Sequence, residues 1–296
     1  LSEAGVVRLG TRGSRLALAQ AQSVADAIGE AEVVPVESTD SEPGDKGRFV
    51  RGVERALLAA DVNLAVHSAK DVPGDRPHEL RLAGVPRRED PLDAYVGSAS
   101  SLDGVDSGSR IGTSSLRRRS QLLALREDLD VLELRGNVDT RLRKVSAGDY
   151  DGIVVAAAGL RRLGRESEIA FTFGLDEVTP APGQGSLAIE ARRDDDSSAA
   201  EAAGISDHDA LVELTAERAA VVALEASCQT PVGVCARLGD GELVLYGYAG
   251  LPDGSEWVRD RLVGDPEQPV AVGDALAQRM LAAGAGEILQ RAEAAA

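Results

Sequence analysis

Apolar residues fall into short clusters separated by turn chemistry, and the order of clusters repeats along the chain. Val6-Val7-Arg8-Leu9 is an apolar run that predicts a strand. Gly10-Thr11-Arg12-Gly13-Ser14 follows as a turn, Ser14 suits a helix N-cap, and Leu16 to Ile28 has alanine-rich helical spacing. Val33 to Val36 predicts a second strand. Val53, Ala56, Leu57 and Ala60 predict a helix over Phe49 to Ala60, and Val62 to Val66 a third strand running into His67-Ser68-Ala69-Lys70-Asp71. The same order returns from Arg110. Arg110 to Ser115 leads into a helix reaching Arg126, Val131 to Leu134 is a strand, Asn137 to Ala147 a helix, and Ile153 to Ala156 a strand. "Arg-Leu-Gly-Thr" and "Arg-Ile-Gly-Thr" therefore open two βαβαβ units, which predict parallel-rich sheets covered on both faces.

Proline-rich Val85 to Pro91 is expected to link the two lobes. Thr179-Pro180-Ala181-Pro182-Gly183-Gln184-Gly185 is a second crossing, after which Ser186 to Ala191 adds a strand back to the first lobe. The rest differs in character: a helix from Asp207 to Leu224, strands over Leu243 to Ala249 and Glu256 to Val263 around Pro252-Asp253-Gly254, and one helix from Val270 to Ala292. The expected architecture is α/β, with one lobe of residues 1–86 and 186–206, a second of residues 87–185, and a small α+β domain of residues 207–296. Two lobes predict a cleft. Both Gly-Thr turns sit at strand carboxyl ends and helix N-termini, where open α/β sheets bind anions. A lone turn of this kind reads as a helix cap; its duplication at equivalent places favours a ligand.

Composition narrows the function. The chain of 296 residues is 43% apolar and 27% charged, as globular proteins are. A net charge of −17 disfavours nucleic acid or anionic lipid as general partners. No apolar run approaches the roughly 18 residues of a membrane span, and no basic-then-apolar leader opens the chain. Cys228 and Cys235, the two cysteines, make no disulfide framework and have no histidine in metal-ligand spacing, so a metal-free protein of the reducing cytoplasm is expected.

Lys46, Lys70 and Lys144 are the only lysines, and arginine carries the remaining positive charge. Arg12, Arg117, Arg118, Arg119, Arg135, Arg141, Arg161 and Arg162 map to strand ends or first helical turns that should face the cleft. Arginine at a helix N-terminus works against the helix dipole, so an anion bridging these groups is expected, and a polycarboxylate suits the planar guanidinium fork. A single such arginine would read as a solvated surface charge. Asp71, beside Lys70, is expected to stay ionised and to stabilise a cation forming on a substrate. At about 4 Å and an effective dielectric of about 20 that attraction is about 4 kcal/mol. His67 reads as a structural hydrogen bonder. On local sequence alone Cys228 reads equally as a small buried hydrophobe.

Together these segments resemble the porphobilinogen deaminase family over almost the whole chain. The resemblance is carried by Gly10-Thr11-Arg12-Gly13-Ser14, by Ala65 to Pro73, and by Gly112-Thr113-Ser114-Ser115-Leu116-Arg117-Arg118. Leu134-Arg135-Gly136-Asn137 with Thr140-Arg141-Leu142, Pro182-Gly183-Gln184-Gly185, and Glu225 with Cys228, Pro231 and Gly233 complete it. It implies two lobes folded like type II periplasmic binding proteins, a third domain, and a monomeric transferase of tetrapyrrole biosynthesis. That enzyme joins four porphobilinogens head to tail on a dipyrromethane cofactor, held by a thioether to Cys228, and releases hydroxymethylbilane. The resemblance makes Asp71 the catalytic carboxylate. It places Ser68, Lys70, Thr113, Ser115, Arg117, Arg118, Arg135 and Arg141 on the cofactor, and Arg12, Ser14, Lys46, Phe49, Arg162 and Gln184 on the substrate. The segment between Thr39-Asp40 and Gly44 to Phe49, a lid in the family, is several residues shorter here, and Ser227 stands where the family has glycine. The rival reading is a non-catalytic two-lobed protein binding a polycarboxylate. The ligand-sensing part of a DNA-binding regulator is a further one, disfavoured by the charge and by the lack of a basic helix-turn-helix.

Overall fold

The computed structural model describes residues 6–37, 48–73, 76–226 and 230–294, with the side chains of Arg48 and Phe49 outside that description. In chain order the elements are β1 (Val7–Arg12), α1 (Arg15–Ile28), β2 (Ala31–Val36), α2 (Arg48–Leu58), β3 (Leu64–Ser68) and β4 (Leu80–Gly84). Next come β5 (Asp93–Gly97), β6 (Arg110–Gly112), α3 (Leu116–Leu125), β7 (Asp130–Leu132), α4 (Val138–Ser146), β8 (Gly152–Ala156), α5 (Ala157–Arg162) and β9 (Phe171–Thr172). The remainder is β10 (Leu187–Arg192), α6 (Asp196–Gly204), α7 (His208–Ala223), β11 (Val232–Gly239), β12 (Glu242–Gly250), β13 (Trp257–Gly264), α8 (Pro269–Ala282) and α9 (Ala285–Ala294). They form two units: Leu1–Glu89 with Ser186–Leu211, and Asp90–Gly185 with Val212–Ala296.

The first unit is built on a sheet of order β2-β1-β3-β10-β4. β1 runs parallel to β2 and β3, and β10 antiparallel to β3 and β4. Side chains alternate across it. Leu64, Val66, Leu187 and Ile189 pack with Val24 and Ala25 of α1, whereas Ala65 packs with Val53 and Leu57 of α2 on the other face. Each such buried aliphatic side chain contributes about 1.5–3 kcal/mol. Ser14 caps α1 by accepting from the Ala17 amide at 3.3 Å.

The second unit repeats this plan. Its large sheet has the order β7-β6-β8-β5-β9, with β6 parallel to β7 and β8, and β5 antiparallel to β8 and β9. The duplication read at the Gly-Thr turns thus extends to strand order. Both glycines are required by close approach: a Cβ on Gly10 would lie 2.8 Å from Val62 Cγ2, and one on Gly112 2.7 Å from Leu134 Cδ2. The sheets are mixed, because one strand in each, β10 or β5, enters from a crossing segment and runs against its neighbours.

The second unit also holds the antiparallel sheet β11-β12-β13. Val234 and Leu245 of this sheet pack against Ala216 and Ala220 of α7, Leu276 and Met280 of α8, and Leu289 of α9. The single helix expected over Val270 to Ala292 is two, because Gly284 turns to φ +100° between α8 and α9. β11 was not expected, and it seals Cys235 completely. The fully buried Glu217 of α7 accepts the Gly183 amide at 2.5 Å and the Ala236 amide at 2.7 Å. Tyr248 of β12 and Ser120 of α3 share a hydrogen bond of 2.7 Å. Among the described residues no helix is long and apolar enough to cross a membrane.

Candidate active site

Four polar side chains converge beneath the second Gly-Thr turn. Asp93, the first residue of β5, is fully buried. Its Oδ2 accepts Arg117 Nη1 at 2.7 Å. Its Oδ1 accepts Arg118 Nε at 2.9 Å and Nη2 at 2.7 Å, together with Gln184 Nε2 at 2.8 Å. Arg117 Nη1 also donates to Thr179 O at 2.6 Å, and Arg118 Nη1 to Val154 O at 3.2 Å. Both arginines are under a tenth exposed. Burial pushes the Asp93 carboxyl up, but the two guanidiniums and their hydrogen bonds outweigh it and hold the group well below the usual carboxylate range.

The anion that bridges Arg117 and Arg118 in the structure is an internal one, Asp93, a single carboxylate between two guanidiniums. It also leaves one positive charge over, and a third guanidinium adds to it. Arg141 of α4 donates through Nε to Gly136 O at 2.9 Å and through Nη2 to Ser114 Oγ at 3.0 Å. Burial first, and then the charge of Arg118, push its pKa down to about 10. Thr113 is buried, its hydroxyl accepting the Ser115 amide at 3.2 Å, while Ser115 caps α3 by accepting the Arg118 amide. Arg162 of α5 donates to Gly185 O at 2.7 Å.

Gln184 is fully buried with its amide nitrogen on Pro91 O and Asp93, so it braces the carboxylate. Arg135 is 78% exposed and paired with Glu133 at 2.7 Å. Arg161 binds Asp90 and Glu166.

In the first unit, Arg12 ends β1 and Ser68 ends the adjacent parallel β3, so both lie on one sheet edge. A short 3-10 turn, Ala69–Asp71, follows Ser68 there and is tied back by the Ala69 amide to Ser186 O at 3.0 Å. Ser68, Lys70 and Asp71 are half-buried. Cys228 and Lys46 lie outside the described residues, as do the side chain of Phe49 and the shortened segment before it.

A profile described as "Porphobilinogen deaminase, dipyromethane cofactor binding domain" matches residues 7–200, and one for the C-terminal domain of the same enzyme matches residues 211–282. The porphobilinogen deaminase of Roseiflexus sp. (strain RS-1) is 45% identical over 95% of this chain and 97% of its own length. That of Campylobacter concisus (strain 13826) is 44% identical over 84% of this chain and 82% of its own. The chain belongs to the porphobilinogen deaminase family. A solved arginine-specific periplasmic binding protein of Salmonella typhimurium aligns with TM-score 0.41 and 14% identity over 68% of this chain and 92% of that one.

The porphobilinogen deaminase profile names a dipyrromethane cofactor, whose acetate and propionate arms are anionic. The second unit fits such a group. Arg117 and Arg118 outnumber Asp93, Arg141 adds a third guanidinium, and Arg117 Nε is buried without a hydrogen-bond partner. Sequence reasoning missed Asp93. Its signal was an acid heading the apolar run Ala94-Tyr95-Val96 immediately after the proline-rich link.

Proposed function

We propose that this chain deaminates porphobilinogen and joins four molecules head to tail on a dipyrromethane held by a thioether to Cys228, releasing hydroxymethylbilane for tetrapyrrole biosynthesis. The observation that carries this reading is the surplus of buried guanidinium charge around Asp93, which calls for a polyanion. Arg117, Arg118, Arg135 and Arg141, with Thr113 and Ser115, hold the carboxylates of the cofactor. Ser68 and Lys70 serve the same group, and Arg12, Ser14, Arg162 and Gln184 serve the incoming substrate, with Lys46 and Phe49 beside them. When bound, the cofactor supplies the free pyrrole α-carbon on which the chain grows. The three-domain boundaries read from the sequence, and a cytoplasmic monomer, belong to the same proposal.

Asp71 is the catalytic carboxylate. As ammonia leaves porphobilinogen, positive charge develops on the pyrrole, and an ionised carboxylate at about 4 Å stabilises it by about 4 kcal/mol at an effective dielectric of about 20. Ammonia departs from the protonated aminomethyl group as the C–N bond breaks, and the same carboxylate can take the proton that the ring sheds after bond formation. The arginines bind and orient; they do not exchange protons, because a guanidinium at neutral pH stays charged.

Porphobilinogen consumption by the purified protein, with product identified as uroporphyrin after acid oxidation, tests the activity. The pyrrole colour given by an aldehyde reagent should disappear in Cys228→Ala. Asp71→Ala should abolish turnover and leave the fold and the bound pyrrole intact. Near-normal turnover in that variant refutes the role of Asp71, and a protein that binds polycarboxylates without consuming porphobilinogen is a binding protein.

A further inference from the structure

A second buried polar cluster lies in the first unit, on the face of the sheet covered by α2. Alternation along β3 puts His67 on the side of Ala65, and alternation along β10 puts Glu190 opposite Ile189, on that same side. Glu190 is fully buried. Its Oε2 lies 3.4 Å from His67 Nε2, and its Oε1 lies 3.4 Å from Arg76 Nε. Glu54 of α2, 5% exposed, completes the group with Oε1 buried and without a hydrogen-bond partner.

The two partners of Glu190 bracket the segment that carries Ser68, Lys70 and Asp71. His67 immediately precedes it and Arg76 closes it, three residues after Pro73. One carboxylate, fixed on a central strand, therefore contacts both ends of the segment. The Ala69 amide bonded to Ser186 O, just before β10, is a third tie to the same strand.

We propose that Glu190 is the positioning residue for Asp71, one carboxylate oxygen engaging each end of the segment from His67 to Arg76. This rests on the reading of Asp71 as the catalytic carboxylate. Glu190 is fully buried, and the polar groups it meets there are His67 and Arg76, each at 3.4 Å. Glu54 lies on α2. Burial first, and then the nearby charge of Glu190, raise its pKa, against the weaker pull of His67, Arg76 and Arg51. The two glutamates are neighbours of similar size and burial, so their amide variants separate positioning from packing.

The test compares holoenzymes whose covalent cofactor is verified by intact mass. Glu190→Gln and Arg76→Gln should each lower kcat about 10- to 100-fold, as misplacement of a reacting group does, with KM little changed. Glu54→Gln should keep the kcat of the parent. Arg76→Gln, on a partly exposed side chain, serves if Glu190→Gln does not fold. Full kcat in Arg76→Gln, or equal losses in Glu54→Gln and Glu190→Gln, overturns the proposal. Asp71→Ala runs in parallel: if it stays active, the reading of the site has failed; if it is dead while Arg76→Gln keeps full kcat, only the positioning role has failed.

Discussion

Asp93→Asn isolates the contribution of one charge. The amide keeps the shape of the carboxylate but leaves Arg117 and Arg118 buried together without a counter-ion. Breaking a buried ion pair from one side costs about 3–5 kcal/mol, because the orphaned charge stays desolvated. For units of this size 1 kcal/mol moves the midpoint by about 2–4 °C, so a drop of roughly 6–20 °C is expected. The residues concerned all lie in the unit containing Asp90–Gly185, and calorimetry measures the loss. The pH dependence follows from the sign of the shift. Asp93 is depressed in the folded state, so its stabilisation is complete above its unfolded pKa of about 3.9 and drains away as pH falls toward the depressed value. Asp93→Asn should remove that acid-side loss. Because the amide can no longer balance Arg118, cofactor-free protein should also take up a polycarboxylate more readily. A midpoint within about 1 °C of the parent, with unchanged acid dependence, would show that the two guanidiniums do not depend on Asp93.

Arg141→Met should raise the stability of cofactor-free protein by on the order of 1 kcal/mol: a pKa depressed to about 10 reports about 3 kcal/mol of destabilisation, and two lost hydrogen bonds of about 1 kcal/mol each offset part of it. Thermal unfolding checks this, and a lower midpoint contradicts it. Glu54, with its pKa raised in the folded state, should make stability fall as pH climbs from its unfolded value through its folded one; a pH series of melts on Glu54→Gln should lack that decline. Gly284→Ala forces a Cβ into φ +100° and should cost about 1 kcal/mol or more in chemical denaturation; no change would mean that the α8–α9 junction relaxes freely.

The elements that the sequence makes legible are those with local signals. Ser14 and Ser115 cap helices as their position before a helical run implies, and Asn137 caps α4 through the Thr140 amide. β10 follows the Pro-Gly crossing and joins the first sheet as expected. β5 and β11 were hidden, because each begins beside prolines that read as linker or loop. The arginines were legible as a cluster but not as a buried one. Charge pairs join residues far apart in sequence: Asp93 meets Arg118 across 25 positions, and Glu190 meets His67 from the far side of the inserted second lobe. No local pattern announces such pairs. Arg135 shows the converse, an ion pair with Glu133 only two residues away.

Glu217 receives hydrogens from main-chain amides at Gly183 and Ala236. At position 236 it therefore calls on the backbone N–H and not on the side chain, and of the small residues proline is barred outright. Position 217 has to deliver two oxygens at a fixed reach, which aspartate, one methylene shorter, lacks. Tolerance to substitution should be lopsided across this junction: wide among small side chains on β11, and nearly nil on the facing turn of α7.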